Sequence, residues 1–291
     1  MAIGALDAAA SVKVPPGRRG LAQDLRAVSV VWRRELIRFW RDKLRMVTSL
    51  IQPILFLFVL GTGLSTLAKG GLPSGINLRT FLYPGVLAMS ALFTALFSAG
   101  SIVWDREFGF LREMLVAPVS RSALVLGKCL GGTTVATLQG VIILVLAGLA
   151  GVPYRPTLIL ALVGELLLLS FTLTAFGVMM AARIQQFQSF MAVTQMLVLP
   201  LFFLSGALYP LGGLPTWLTV LTRIDPLTYI IGPMRTVVFH AVGVSSSAMR
   251  FLSPGVTWDG WLVPMGLSLG IVAVMGLAMA AIAIGEFQRN D

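Results

Sequence analysis

The sequence predicts an all-α integral membrane protein with six transmembrane helices. Of its 291 residues, 57% are hydrophobic and 12% charged, and the mean hydropathy is +0.89. Soluble domains carry about 25% charged residues, so a chain this apolar cannot cover its surface for water. Six long stretches hold at most one charge each, and a span needs about 20 mainly apolar residues. A soluble enzyme is excluded, and so is disorder, which needs dense charge. The net charge of +10 does not imply nucleic acid, because in a membrane protein the placement of charge outweighs its sum.

Residues 1–20, with Pro15, Pro16 and Gly17, read as a flexible cytoplasmic tail. In residues 21–45, Leu21, Leu25, Val28, Trp32, Leu36 and Phe39 recur at steps of three and four. Arg26, Arg33, Arg34, Arg38, Arg41 and Lys43 fill much of the remainder. That is a basic amphipathic helix lying in the membrane interface. It serves either as an anchor to anionic membrane lipid or, in addition, as a docking surface for a cytoplasmic partner.

The transmembrane region covers residues 46–285. The first span is placed at 46–68, kinked near Pro53, the second at 80–104 and the third at 129–154. The fourth, 156–182, is interrupted only by Glu165. From Ile184 to Thr222 there are 39 residues without a charge, too many for one crossing. Pro210, Gly212, Gly213 and Pro215 break that run, so the fifth span ends near Tyr209. The sixth occupies 260–285, leaving 286–291 as a C-terminal tail. Residues 226–243 are apolar, yet Pro233 and Arg235 sit in their middle. Within an extracellular re-entrant segment at 210–240, Leu214–His240 is therefore read as two short helices that dip into or lie along the outer leaflet, a seventh crossing being the alternative.

Sixteen of the 22 Lys and Arg residues fall on one side of this arrangement, in residues 1–45, 105–128, and at Arg183 and Arg289. The positive-inside rule then puts both termini in the cytoplasm of a multi-pass plasma-membrane protein.

Catalytic groups are sparse. There is one histidine, His240, and one cysteine, Cys129, with no metal-ligand pattern and no paired intramembrane carboxylates. Gly127-Lys128 lacks the upstream glycine of a P-loop and is followed by Cys129, so the chain has no nucleotide site of that type. Glu165, costly in hydrocarbon, and Gln139 and Gln195 are candidates for a substrate pathway, or else for bonds between helices. The loop after the second span is richer. Asp105 is a good helix cap, Glu107 and Glu113 alternate with Arg106 and Arg112, and Pro118 is a stop, which predicts a short amphipathic helix over 105–118.

Two runs carry a family resemblance: DREFGFLREMLVAPVSRSALVLGK at 105–128 and LSGALYPLGGLPTWLTVLTRIDPLTYIIGPMR at 204–235. Both resemble ABC-2 type permeases, within them the daunorubicin-resistance and nodulation-export branch. Asp225 stands where that branch has Asn. The resemblance covers residues 21–289 and implies an ABC-2 type exporter fold without its own motor. The chain would bind no cofactor, ATP and Mg residing on a separate ATP-binding cassette subunit. A second permease, identical or homologous, would complete a dimer. By the same resemblance, Asp105, Arg106, Glu107, Gly109, Arg112, Glu113 and Pro118 would form the element coupled to the ATPase subunit. Trp32, Arg33, Arg34, Phe39 and Trp40 would mark the connecting helix, and residues 210–235 would close the outer end of the pathway. The implied activity is export of an amphipathic, lipid-like or drug-like substrate, as in efflux, antibiotic resistance or lipid transport. The alternatives are a lipid-modifying membrane enzyme using Glu165, Arg235 and His240, or a non-transporting scaffold.

Overall fold

A computed structural model describes residues 21–65, 76–109, 120–258 and 261–289. The N-terminal tail lies outside the described residues, as do Arg112, Glu113 and Pro118. Six helices are long and apolar enough to cross a membrane, as the sequence predicts.

Helix α1 (Leu21–Arg41) carries Asp24 in its first turn and Arg38 and Arg41 in its last, charges that complement the helix dipole. Asp42 leaves helical geometry and its carboxylate accepts from Arg45 N at 3.1 Å, so the chain breaks there and restarts as α2 (Lys43–Leu55). This helix continues through a π-helical turn (Phe56–Leu60) and a last turn (Gly61–Gly63). Pro53 has no amide for the ladder, and the widened turn just after it absorbs the irregularity.

Helix α3 (Leu78–Glu107) is the axis of the bundle. Tyr83, Leu87, Ala91, Ala95 and Val103 are completely covered, as expected of a helix apolar on every side. Around it stand α4 (Arg121–Val145), α5 (Pro156–Arg183) and α6 (Phe187–Leu204). Between α6 and the last helix lie α7 (Thr216–Ile224), α8 (Pro226–Val242), α9 (Ser246–Leu252) and a pair of two-residue strands, β1 (Thr257–Trp258) antiparallel to β2 (Trp261–Leu262). Helix α10 (Met265–Arg289) closes the bundle against α5.

Span boundaries differ from the charge-based expectation where a charge has a partner. The third crossing begins at Arg121 rather than at 129, because Lys128 is neutralised inside the bundle. The second runs on to Glu107 for the same reason at Asp105. The fifth stops at Leu204, before Gly206 turns the chain with φ 72°. Helix α8 keeps Pro233 and buries Arg235, which donates to Gly206 O at 2.8 Å and Ala207 O at 3.1 Å. Its 17 residues rise about 26 Å, short of the roughly 30 Å hydrocarbon core. The segment thus forms two helices, α7 and α8, broken at Asp225-Pro226, with α8 the longer.

Candidate functional site at the junction of α1, α3 and α4

Three of the six buried charged side chains among the described residues, Glu35, Asp105 and Lys128, meet at one end of the bundle. Lys128 Nζ on α4 donates to Glu35 Oε1 at 2.6 Å, Ser101 Oγ at 2.8 Å and Asp105 Oδ2 at 2.9 Å. An ammonium has three protons, and all three are used. Asp105 also pairs with Arg34 and, at 3.7 Å, with Arg38 Nη1. Glu35, Lys128 and Asp105 are each under 8% exposed, where an unpaired ion would cost several kcal/mol.

Two glycines let α1 come close enough for this. A Cβ at Gly127 would lie 2.7 Å from Val31 Cβ, and one at Gly131 would lie 2.7 Å from Glu35 Cβ. Small residues four apart give α4 a groove into which α1 fits. Trp32 Nε1 donates to Thr134 Oγ1 at 3.0 Å, and Ser120 N donates to Asp24 Oδ1 at 3.2 Å, so α1 is fixed to α4 along its length.

Asp105, Arg106 and Glu107 do not begin a loop helix. They are the last turn of α3, and the expected capping role of Asp105 is replaced by burial among cations. Consecutive helix positions point about 100° apart, so each reaches a different neighbour. Asp105 faces α1 and α4. Arg106 Nη1 donates to Ala181 O and Ile184 O, both at 3.1 Å, and its guanidinium lies 5.7 Å from the Phe287 ring. Glu107 Oε2 accepts from Phe187 N at 2.9 Å, where α6 starts. Gly109, with φ 82°, is the left-handed residue that ends the helix.

On α1, Trp32 and Arg34 point into the junction, Phe39 packs edge-on to Trp40 at 5.9 Å, and Arg33 and Trp40 are exposed. A cavity of about 390 Å³ opens beside the junction, between α1, α2 and α3, with Val135 of α4 and Gln195 of α6 at its margin. Its charged border is Glu35, Arg38, Asp42 and Arg45, and its apolar wall is Phe39, Phe93 and Phe97.

The three pathway candidates are not brought together. Gln195 reaches the cavity. Gln139 Nε2 instead donates to Ser49 Oγ at 2.8 Å and Met46 O at 3.3 Å, fastening α4 to α2. Glu165 is buried in α5 away from the cavity, and neither carboxyl oxygen has a hydrogen-bond partner among the described residues. His240 is exposed at the end of α8. Sequence reasoning missed Glu35, Ser101 and Lys128. The available signal was Lys128 between two glycines in an otherwise charge-free run.

Residues 26–239, from α1 into α8, match the ABC-2 type transporter family and take in the whole junction. The chain belongs to that family. It is similar to the transport permease ycf38 of Cyanophora paradoxa, with 31% identity over 227 residues, 77% of this chain and 78% of that protein. Nodulation protein J of Rhizobium leguminosarum bv. trifolii is 29% identical over 210 residues, 71% of this chain and 79% of that protein. The inner membrane transport permease YadH of Escherichia coli (strain K12) is 24% identical over 266 residues, 91% of this chain and 95% of that protein. This ABC-2 permease is thus a multi-pass membrane subunit for transport, and the buried junction lies within the part that matches the family.

Proposed function

We propose that the chain is the membrane-spanning half of an ATP-driven exporter, working with a separate ATP-binding subunit and a second permease. The observation that carries this reading is the single ionic cluster joining α1, the end of α3 and α4. Helix α3 ends at Glu107, one turn or less from that cluster, and α1 is locked to it. Force applied by a partner on the segment after Glu107 would reach α1 and α4 through Asp105, α5 and α10 through Arg106, and α6 through Glu107.

ATP and Mg on the partner supply the energy. In this chain, Asp105, Lys128 and Glu35 keep α1 and the end of α3 moving as one body, while the cavity between α1, α2 and α3 takes the cargo. Both termini and the junction are cytoplasmic in this reading, supported by the excess of Lys and Arg at that end. The mixed polar and apolar lining suits an amphipathic cargo. The α7–α8 pair would close the opposite end.

The test is co-expression with a candidate ATP-binding cassette subunit. Stable co-purification, and ATP hydrolysis that needs both chains in a bilayer, are expected. Nucleotide turnover by this chain alone, or residues 105–121 labelled from the periplasmic side, would overturn the proposal.

A further inference from the structure

We infer that the cavity beside the junction binds the anionic headgroup of an amphipathic molecule, with Arg38 and Arg45 as its ligands. This rests on the transport reading above, because it names the cargo chemistry of the same site. The acids around the cavity are already engaged. Glu35 holds Lys128, and Asp42 caps α2 by accepting from Arg45 N. Asp105, beneath the floor, is shared by Lys128 and Arg34 through one oxygen.

The cations are less committed. Among the described residues, the Arg38 side chain pairs only with the other Asp105 oxygen, 3.7 Å away and beyond good hydrogen-bond reach. Arg45 makes no ion pair among the described residues. Counting Arg34, Arg38, Arg45 and Lys128 against Glu35, Asp42 and Asp105, the surroundings keep one positive charge in excess. A guanidinium presents paired donors that match a phosphate or carboxylate, and neither residue needs to abandon a strong bond to do so.

Above Arg45, Thr48, Ser49 and Gln52 follow at helical spacing along the same wall of α2 and extend a polar track into the cavity. Opposite, Phe93 and Phe97 of α3 stack at 6.0 Å and 20°, a flat apolar face for the start of a chain or ring system. A volume of about 390 Å³ is at the lower end for a small-molecule site, enough for a headgroup and the first part of its tail. The shared chemistry is a phosphate or carboxylate on an apolar body, whether a bilayer lipid or a freely diffusing amphiphile.

The test uses the purified full chain in a non-ionic detergent, with binding read by native mass spectrometry. The probes are dodecyl phosphate, dodecylphosphocholine and dodecyltrimethylammonium. Dodecyl phosphate is expected to bind about tenfold tighter than the other two, and Arg45→Gln to remove most of that preference. Arg38→Gln is expected to act likewise, and thermal melting checks that its loss from Asp105 leaves the fold intact. Arg33→Gln with Arg41→Gln, both exposed and outside the cavity lining, is expected to leave the preference unchanged. Equal binding of the three headgroups, or equal loss in the Arg33/Arg41 variant, overturns the inference. Phosphatidic acid and hexyl phosphate then separate the sources, since a lipid site takes the first and a site for free amphiphiles the second. Headgroup preference without partner-dependent ATP hydrolysis would refute the transport reading alone, and transport without the preference would refute this site alone.

Discussion

Lys128 on α4 donates to Glu35 on α1 across 2.6 Å, and both side chains are buried. Removing one member of such a pair strands the other without water, at a cost of about 3–5 kcal/mol. Lys128→Met is therefore expected to lower the thermal midpoint sharply in detergent. Combining it with Glu35→Met is expected to recover much of the loss, because Asp105 still has Arg34. A double variant as unstable as the single one would contradict the pairing.

The approach of α1 to α4 depends on the absence of side chains at Gly127 and Gly131. Gly131→Leu places atoms where Glu35 Cβ and Cγ already stand, at 2.7 and 2.8 Å from the first added carbon. Helix α1 is expected to detach, which trypsin will report as faster cleavage at Arg33 and Arg34. Gly285, with nothing within 4 Å of an added Cβ, provides the comparison, and Gly285→Leu is expected to leave the cleavage rate unchanged.

Asp225 caps α8 by accepting from Leu227 N at 3.0 Å, and burial pushes its carboxyl up to about 8. Its unfolded value is near 3.9. Its neutral form therefore stabilises the fold fully below about pH 4, and that contribution is lost as pH rises through about 8. Asp225→Asn keeps a cap acceptor without a titrating group. The variant is expected to melt with a flatter pH dependence between pH 5 and 8 than the natural chain.

Arg235 satisfies two carbonyls just past the end of α6 and lies 4.1 Å from the centre of the Phe81 ring. Burial lowers its pKa to about 9, so it stays cationic at neutral pH. Arg235→Met leaves both carbonyls without donors, each worth about 1–3 kcal/mol when buried. A substantial fall in melting temperature is expected, and Arg235→Lys, which keeps a cationic donor but loses the guanidinium's reach and its contact with Phe81, is expected to fall between.

For coupling, Arg112→Ala with Glu113→Ala is expected to abolish transport in cells co-expressing the ATP-binding subunit, with membrane insertion unchanged. Efflux rate measured at a normal ratio of the two subunits is the readout. An unaltered rate would remove these residues from the coupling element.

The six crossings and the amphipathic nature of α1 were legible because both depend on local composition: long apolar runs, and apolar steps of three and four. A break after the fifth crossing and a pair of helices beyond it were legible in outline from Pro and Gly, though the crossing was extended to Tyr209 instead of Leu204. The helix end at Glu107 was missed because a new helix was read from Asp105. The junction was not legible. Lys128 read as the charge that delays the third crossing, and Asp105 as the cap that opens a loop, because along the chain each looks unpaired. Glu35 looked like one acid on a basic face. The residues that do stand out in apolar sequence, Glu165 and Gln139, lie elsewhere.

By itself, then, the amino-acid order determined that this is a membrane protein of six crossings with one basic end, since hydrocarbon admits only long runs free of net charge. Which charges may enter the bundle was decided only when α1, α3 and α4 met. A buried ion is tolerable according to what stands within about 3 Å of it, and Glu35 and Lys128, 93 positions apart, become neighbours only through packing.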